Sequence, residues 1–188
     1  KALCTPQVLA MDFMESAPLD SLIDASQAVR DRVAAALIDL TLRELFVFGA
    51  MQTDPNLANY RYDPKAGRVV LLDFGAVQTI APSLAADFRA LAQVALDGEP
   101  KATRDAMLRI GYFGPTTALH HQTLIQSMFD LAMGPLRQAT PFDFGQSDLL
   151  EHLRDMGLAI GSDRDLAHVP PAATLFLHRK IGGMYLMA

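Results

Sequence analysis

Three side chains carry the chemical interest of this chain. Asp54 sits in Met51-Gln52-Thr53-Asp54-Pro55-Asn56, Asn59 follows shortly after, and Asp73 ends the apolar run Val70-Leu71-Leu72 just before Phe74-Gly75. A loop carboxylate, a carboxamide and a strand-end carboxylate in this order form a phosphoryl-transfer layout. Asp54 can orient or deprotonate a hydroxyl or water in line with a transferred phosphate. Asn59 and Asp73 offer hard oxygen ligands from two chain segments, which suits magnesium held against nucleotide phosphates. Gly75 predicts a sharp backbone bend just beyond the metal. Each pattern alone is weak, and Asp54 has a plain alternative as an Asx-type cap of the turn begun by Pro55. Their joint occurrence, with an apolar strand feeding Asp73, favours the catalytic reading.

The layout works only if distant segments meet. Asn59-Tyr60-Arg61-Tyr62-Asp63 and Arg68-Val69-Val70-Leu71-Leu72 flank Pro64-Lys65-Ala66-Gly67, which predicts a hairpin. A hairpin returns the chain to its starting end and so brings Asp73 back toward Asp54 and Asn59. Upstream, Ser26 caps a helical pattern in which Val29, Val33, Leu37, Leu40, Leu45 and Phe48 form one face, with Arg30, Asp31, Arg43 and Glu44 mostly on the other; Gly49 stops it. Before that, the apolar run Gln7 to Met14, bounded by Pro6 and Ser16-Ala17-Pro18, predicts a buried strand.

Beyond Gly75 the pattern is helical: Pro82 to about Asp97, Lys101 to Ile110, Thr117 to Met133, a helix capped by Ser147 to about Met156, and a last one opened by Pro170-Pro171 and running through Leu186. Gly182-Gly183 weaken the middle of that last helix by roughly 1 kcal/mol each. The predicted fold is mainly α with a small β-hairpin, in a single domain spanning 1–188.

Composition narrows the partners. Of the 188 residues 51% are apolar and 20% charged, the profile of a globular chain. A net charge of −5 without a run of basic residues disfavours nucleic acid and polybasic membrane contacts. The single cysteine, Cys4, forms no internal disulfide, so a reducing, cytoplasmic setting is the default. No apolar run reaches the roughly 18 to 20 residues of a membrane span. Neighbouring His120 and His121 diverge on a helix, so no metal beyond Mg2+ is expected. A chain that opens at Lys1 and goes almost directly into an apolar run is expected to be an excerpt of a longer protein.

Gln52-Thr53-Asp54-Pro55-Asn56-x-x-Asn59, the Tyr62-Asp63-Pro64 turn, Leu71-Leu72-Asp73-Phe74-Gly75-Ala76 and the late Leu177-His178-Arg179-Lys180-x-Gly182 resemble the UbiB family of atypical kinases, associated with coenzyme Q (ubiquinone) biosynthesis. The resemblance spans nearly the whole chain. It implies the C-terminal lobe of a protein-kinase-like fold, beginning at the interlobe hinge, with ATP and Mg2+ as cofactors. On that mapping Asp54 is the catalytic aspartate, with Asn59 and Asp73 as metal ligands. Met11 stands at the back of the adenine pocket, backbone groups of Asp12 and Met14 read the adenine edge, and Arg61 replaces an apolar residue on the pocket floor. The implied partners are the nucleotide, a quinone-lipid or inner-membrane surface, and quinone biosynthesis enzymes. The family's Lys-x-Gly-Gln motif, alanine-rich nucleotide loop and phosphate-pairing lysine do not occur in these residues, so this segment alone is expected to have negligible turnover.

Two other functions share these residues: a non-catalytic, nucleotide-regulated scaffold, and a small-molecule phosphotransferase of the aminoglycoside or choline type. The short passage from Gly75 to Pro82, with no long activation segment, favours a small acceptor or water over a peptide. His178-Arg179-Lys180 reads as a solvated helix face or as a docking point for the family's N-terminal extension or an anionic lipid headgroup. Phe142 and Phe144 read either as an anchor to the core or as an exposed patch.

Overall fold

The computed structural model describes residues 3–162 and 168–188. Its regular elements are β1 (Ala17–Pro18), α1 (Gln27–Arg43), β2 (Ala50–Gln52), β3 (Tyr60–Asp63), β4 (Arg68–Leu71), β5 (Val77–Thr79), α2 (Pro82–Leu96), α3 (Pro100–Ile110), α4 (Leu119–Met133), α5 (Leu149–Ser162) and α6 (Ala172–Met187). A 3-10 turn, Leu19–Asp24, follows β1, and a π-helical turn, Glu44–Phe48, follows α1. The chain is mainly helical, as its patterning predicts.

The strands form two small antiparallel sheets. The predicted hairpin is β3–β4, with Tyr60 opposite Leu71 and Asp63 opposite Arg68. Its turn is closed by Asp63, whose carboxylate accepts the N–H groups of Lys65 and Ala66. The Ala17-Pro18 dipeptide, read from sequence only as a breaker, pairs with β3 as an edge strand. The second sheet joins β2 to β5, Gln52 opposite Val77. Both are too short to show a hydrophobic period, so nothing in the sequence marks them.

Two apolar clusters flank α6. One gathers Leu45, Met51, Ile80, Phe88, Leu91, Met107, Ile110, Phe113 and Leu177; the other gathers Leu19, Val33, Leu37, Tyr60, Tyr62 and Met184. Leu177 and Met184 project from α6 on nearly the same side, with Lys180 between them, so that helix forms the seam between the clusters.

Several expectations need correction. Gln7 to Met14 is not a buried strand. Apart from a single bridge between Thr5 and Val8 the run has no ladder, and Leu9 and Phe13 are 75% and 91% exposed. A strand needs a partner edge for its N–H and C=O groups, and among the described residues regular pairing begins only at Ala17. Glu44, expected on the outer face, is buried, and Phe48, expected on the inner face, is exposed. Glu44 lies seven residues after buried Leu37 and three after buried Thr41, so the α-helical repeat itself carries it inward; the wider π turn that begins there changes the phase only afterwards, and Val47 and Phe48 are left exposed. Gly49 then ends the helix in the left-handed region at φ 64°. His120 and His121 do not diverge: their rings meet with centroids 3.9 Å apart. Phe142 and Phe144 pack on each other and on Tyr185 of α6, the anchoring alternative.

Candidate active site

Two loops make the site: residues 53–59 between β2 and β3, and residues 72–76 between β4 and β5. Because β3 pairs with β4 and β2 with β5, both ends of one loop are tied to both ends of the other. Leu72 donates its N–H to the Asn59 carbonyl at 3.0 Å, and Thr53 donates its N–H to the Ala76 carbonyl at 3.0 Å and its hydroxyl to the same oxygen at 2.9 Å. Asp54 and Asn59 lie between those ties on one side, and Asp73 on the other.

Within the first loop the parts are held individually. Asn59 Nδ2 donates to the Asp54 carbonyl at 3.2 Å, which orients the amide and leaves Oδ1 as its acceptor atom. Gln52 Oε1 accepts the Asp54 N–H at 2.8 Å. That bond leaves Gln52 Nε2 buried without a partner, a local cost incurred beside the Asp54 backbone. The turn is capped by Asn56, whose Oδ1 accepts the Ala58 N–H at 3.0 Å. Asp54 is therefore not the turn's cap: its Oδ1 receives Arg179 Nη2 from α6 at 2.7 Å, and Oδ2 remains for a proton or an acceptor group.

In the second loop Asp73 is exposed and its Oδ1 accepts the Gly75 N–H at 2.7 Å, leaving Oδ2. The chain turns at Gly75-Ala76, as expected, without entering the left-handed region. A Cβ at Gly75 would stand 3.1 Å from Asp73 Oδ1, so glycine also makes room for the carboxylate. The donor set of amide oxygen and carboxylate oxygens is hard and anionic, which fits magnesium.

The residues assigned to the nucleotide pocket lie in two segments, the run before β1 and strand β3. Met11 and Asp12 are exposed and Met14 half-buried in the segment that leads to β1. Arg61 on β3 donates from Nε to Ser16 Oγ at 2.9 Å and from Nη2 to the Ser16 carbonyl. Its guanidinium is thereby tied to that segment's end, beside the hairpin.

In the late Leu-His-Arg-Lys run His178 and Arg179 are exposed, whereas Leu177 and Lys180 are buried. Lys180 is fully buried, with Nζ 2.9 Å from Glu44 Oε2 and donating to Tyr60 Oη at 2.9 Å. Burial raises the Tyr60 pKa, and the Lys180 hydrogen bond opposes that rise. His178 Nε2 meets the Tyr112 hydroxyl at 2.9 Å, and desolvation lowers the histidine's pKa and raises the tyrosine's. Gly183 lies against Pro55: a Cβ there would stand 2.3 Å from the proline Cβ and Cγ. Arg179 and Gly183, one helical turn apart, thus press the same face of α6 onto Asp54-Pro55. Sequence reading missed Glu44, Tyr60 and the inward role of Lys180; the helical spacing of 177, 180 and 184 is the available signal.

The sequence profile of the ABC1 atypical kinase-like domain matches residues 1–106. The chain belongs to this family. It is 31% identical over 188 residues to the atypical kinase COQ8B, mitochondrial, of Rattus norvegicus, a match covering 98% of this chain and 34% of that protein. It is 30% identical over 189 residues to the atypical kinase COQ8, mitochondrial, of Saccharomyces cerevisiae, covering 97% and 36%. The chain thus spans about a third of the length of these curated relatives and corresponds to their C-terminal part. Among solved structures, Rv3197 from Mycobacterium tuberculosis, in a complex with erythromycin, superposes with a TM-score of 0.66 at 18% identity, covering 94% of this chain and 44% of that one. That likeness shows a shared fold. No helix among the described residues is long and apolar enough to cross a membrane.

Proposed function

We propose that this chain is the catalytic and metal-binding lobe of an atypical kinase or ATPase that uses Mg-ATP and serves ubiquinone biosynthesis. The observation that carries the reading is the cross-linked loop pair, which sets Asp54 and Asn59 in one loop alongside Asp73 in the other. Asn59 Oδ1 and Asp73 would hold magnesium, which when bound neutralises charge on the phosphate oxygens. Asp54 Oδ2 takes the proton of the attacking hydroxyl or water. Arg179 fixes the other oxygen of that carboxylate and supplies a cation at the end of the site where negative charge gathers. Met11, Asp12, Met14 and Arg61 form the edge along which the adenine lies.

The acceptor is a small molecule or water. After Gly75 the chain is committed to β5 pairing and then to α2 at Pro82, leaving no length for a peptide-docking segment. The kinship with atypical kinases named COQ8 supports an acceptor with quinone-lipid chemistry and a setting at a membrane surface.

A second reading, a nucleotide-regulated scaffold, draws on the Arg179–Asp54 pair, which engages the carboxylate that catalysis needs. Asp54→Asn in the full-length protein separates the two. Catalysis predicts ATP turnover reduced by about 10²- to 10⁴-fold with nucleotide affinity retained. Unchanged turnover and unchanged quinone production would leave the scaffold.

A further inference from the structure

We infer that Glu44, Lys180 and Tyr60 form a buried clamp that fixes both ends of the loop 53–59, making them positioning residues for the Asp54 chemistry. The inference deepens the phosphoryl-transfer reading and rests on it for its kinetic consequence. Its structural basis is independent of that reading.

Lys180 Nζ lies 2.9 Å from Glu44 Oε2 and donates to Tyr60 Oη at 2.9 Å, with no exposed surface on the lysine. Glu44 Oε1 accepts the Gln52 N–H at 3.3 Å. Gln52 is the residue before the loop, and its own Oε1 holds the Asp54 N–H at 2.8 Å. Tyr60 is the residue after the loop, next to Asn59. One ammonium–carboxylate pair therefore governs where the loop enters, where it leaves, and, through Gln52, where the Asp54 backbone sits. Three elements meet in it: the π turn after α1, the sheet strands on either side of the loop, and α6.

Stability alone does not account for the pair. Desolvating two ions generally costs more than their attraction returns, and an apolar pair of similar size is often as stable or more so. Lys180 sits between Leu177 and Met184, each in a separate apolar cluster, so an apolar side chain at 180 would join the two. What an apolar side chain could not do is direct a hydrogen bond to Tyr60 and hold the carboxylate that receives Gln52. A reacting group displaced by about an ångström loses roughly a hundredfold in rate, which sets the scale of what such a clamp protects.

The test uses the full-length protein and the double variant Glu44→Met/Lys180→Met, which removes both charges at similar volume. Thermal unfolding, amide hydrogen exchange of residues 52–60 and ATP turnover are measured together. The clamp predicts a melting temperature near that of the wild type, exchange across 53–59 raised by at least about tenfold, and turnover reduced by at least about tenfold. Wild-type exchange in a stable double variant would overturn the proposal, because the pair would then be structural filling. If the double variant does not fold, Tyr60→Phe decides: it removes one hydroxyl, and faster exchange at 57–60 supports the clamp while unchanged exchange refutes it. Should the wild type show no ATP turnover, the exchange comparison still judges the clamp, and only the phosphoryl-transfer reading falls.

Discussion

The loop carrying Asp54 and the loop carrying Asp73 lie side by side, yet they are held in different ways. The first is bounded by buried Gln52 and Tyr60, gripped by the side chains of Glu44 from the turn after α1 and of Arg179 and Lys180 from α6, and closely approached by the α6 backbone at Gly183. The second is held by backbone bonds to its neighbour and by the Asp73–Gly75 contact, and Leu72 and Phe74 are 41% and 59% exposed. The Asp54 side of the site is thus preorganised by the helical frame, whereas the Asp73 side presents an exposed carboxylate on a lightly packed loop. Fixed geometry is most useful where a proton must be taken in line with the transferred group. A carboxylate that ligates a metal on a mobile substrate tolerates a looser mount.

If that contrast is right, changes on the α6 side should cost far more stability than changes near Asp73. Lys180→Met alone should destabilise the full-length protein by about 3–5 kcal/mol in denaturant unfolding, because Glu44 is left as an unpaired buried charge. A neutral result would remove the contrast.

Gly183→Ala comes next, at about 1–3 kcal/mol, since the new methyl drives into Pro55. Its neighbour gives the control: nothing lies within 4 Å of a Cβ at Gly182, so Gly182→Ala should stabilise by up to about 1 kcal/mol. Equal effects at the two glycines would show that α6 does not press on Asp54-Pro55.

The smallest effect concerns His178. Desolvation lowers its pKa in the folded protein, so below about pH 6.5, the ordinary histidine value, the unfolded chain takes up a proton that the folded chain resists. Stability should therefore rise slightly with pH through the window below that value and gain nothing from this group above it. Unfolding of wild type and His178→Asn between pH 5 and 8 isolates the difference. Parallel profiles would show that the His178–Tyr112 contact does not resist protonation.

The sequence made the skeleton legible for physical reasons that the structure bears out. Gly49 and Gly98 end helices in the left-handed region, Pro82 opens one, and Asp63 closes the hairpin turn. The return of Asp73 toward the Asp54–Asn59 loop was readable because a hairpin must bring the chain back to its start. What stayed hidden depended on tertiary context. Gln7 to Met14 looks like a buried strand until one asks what covers it, and apolarity alone cannot supply a partner. Glu44 and Lys180 look like surface charges because charges are rarely fully buried unless paired. Their partners come from segments far apart in the chain, and only the packing of α6 against the turn after α1 brings the two charges together.

The central claim, a magnesium-dependent nucleotide site built on Asn59 and Asp73 beside Asp54, is tested most directly by nucleotide affinity in the full-length protein with and without Mg2+. The account predicts that Mg2+ tightens ATP binding by about tenfold or more, and that Asp73→Asn removes that increment while leaving the fold intact. ATP affinity that ignores Mg2+, or a magnesium effect that survives Asp73→Asn, would contradict it.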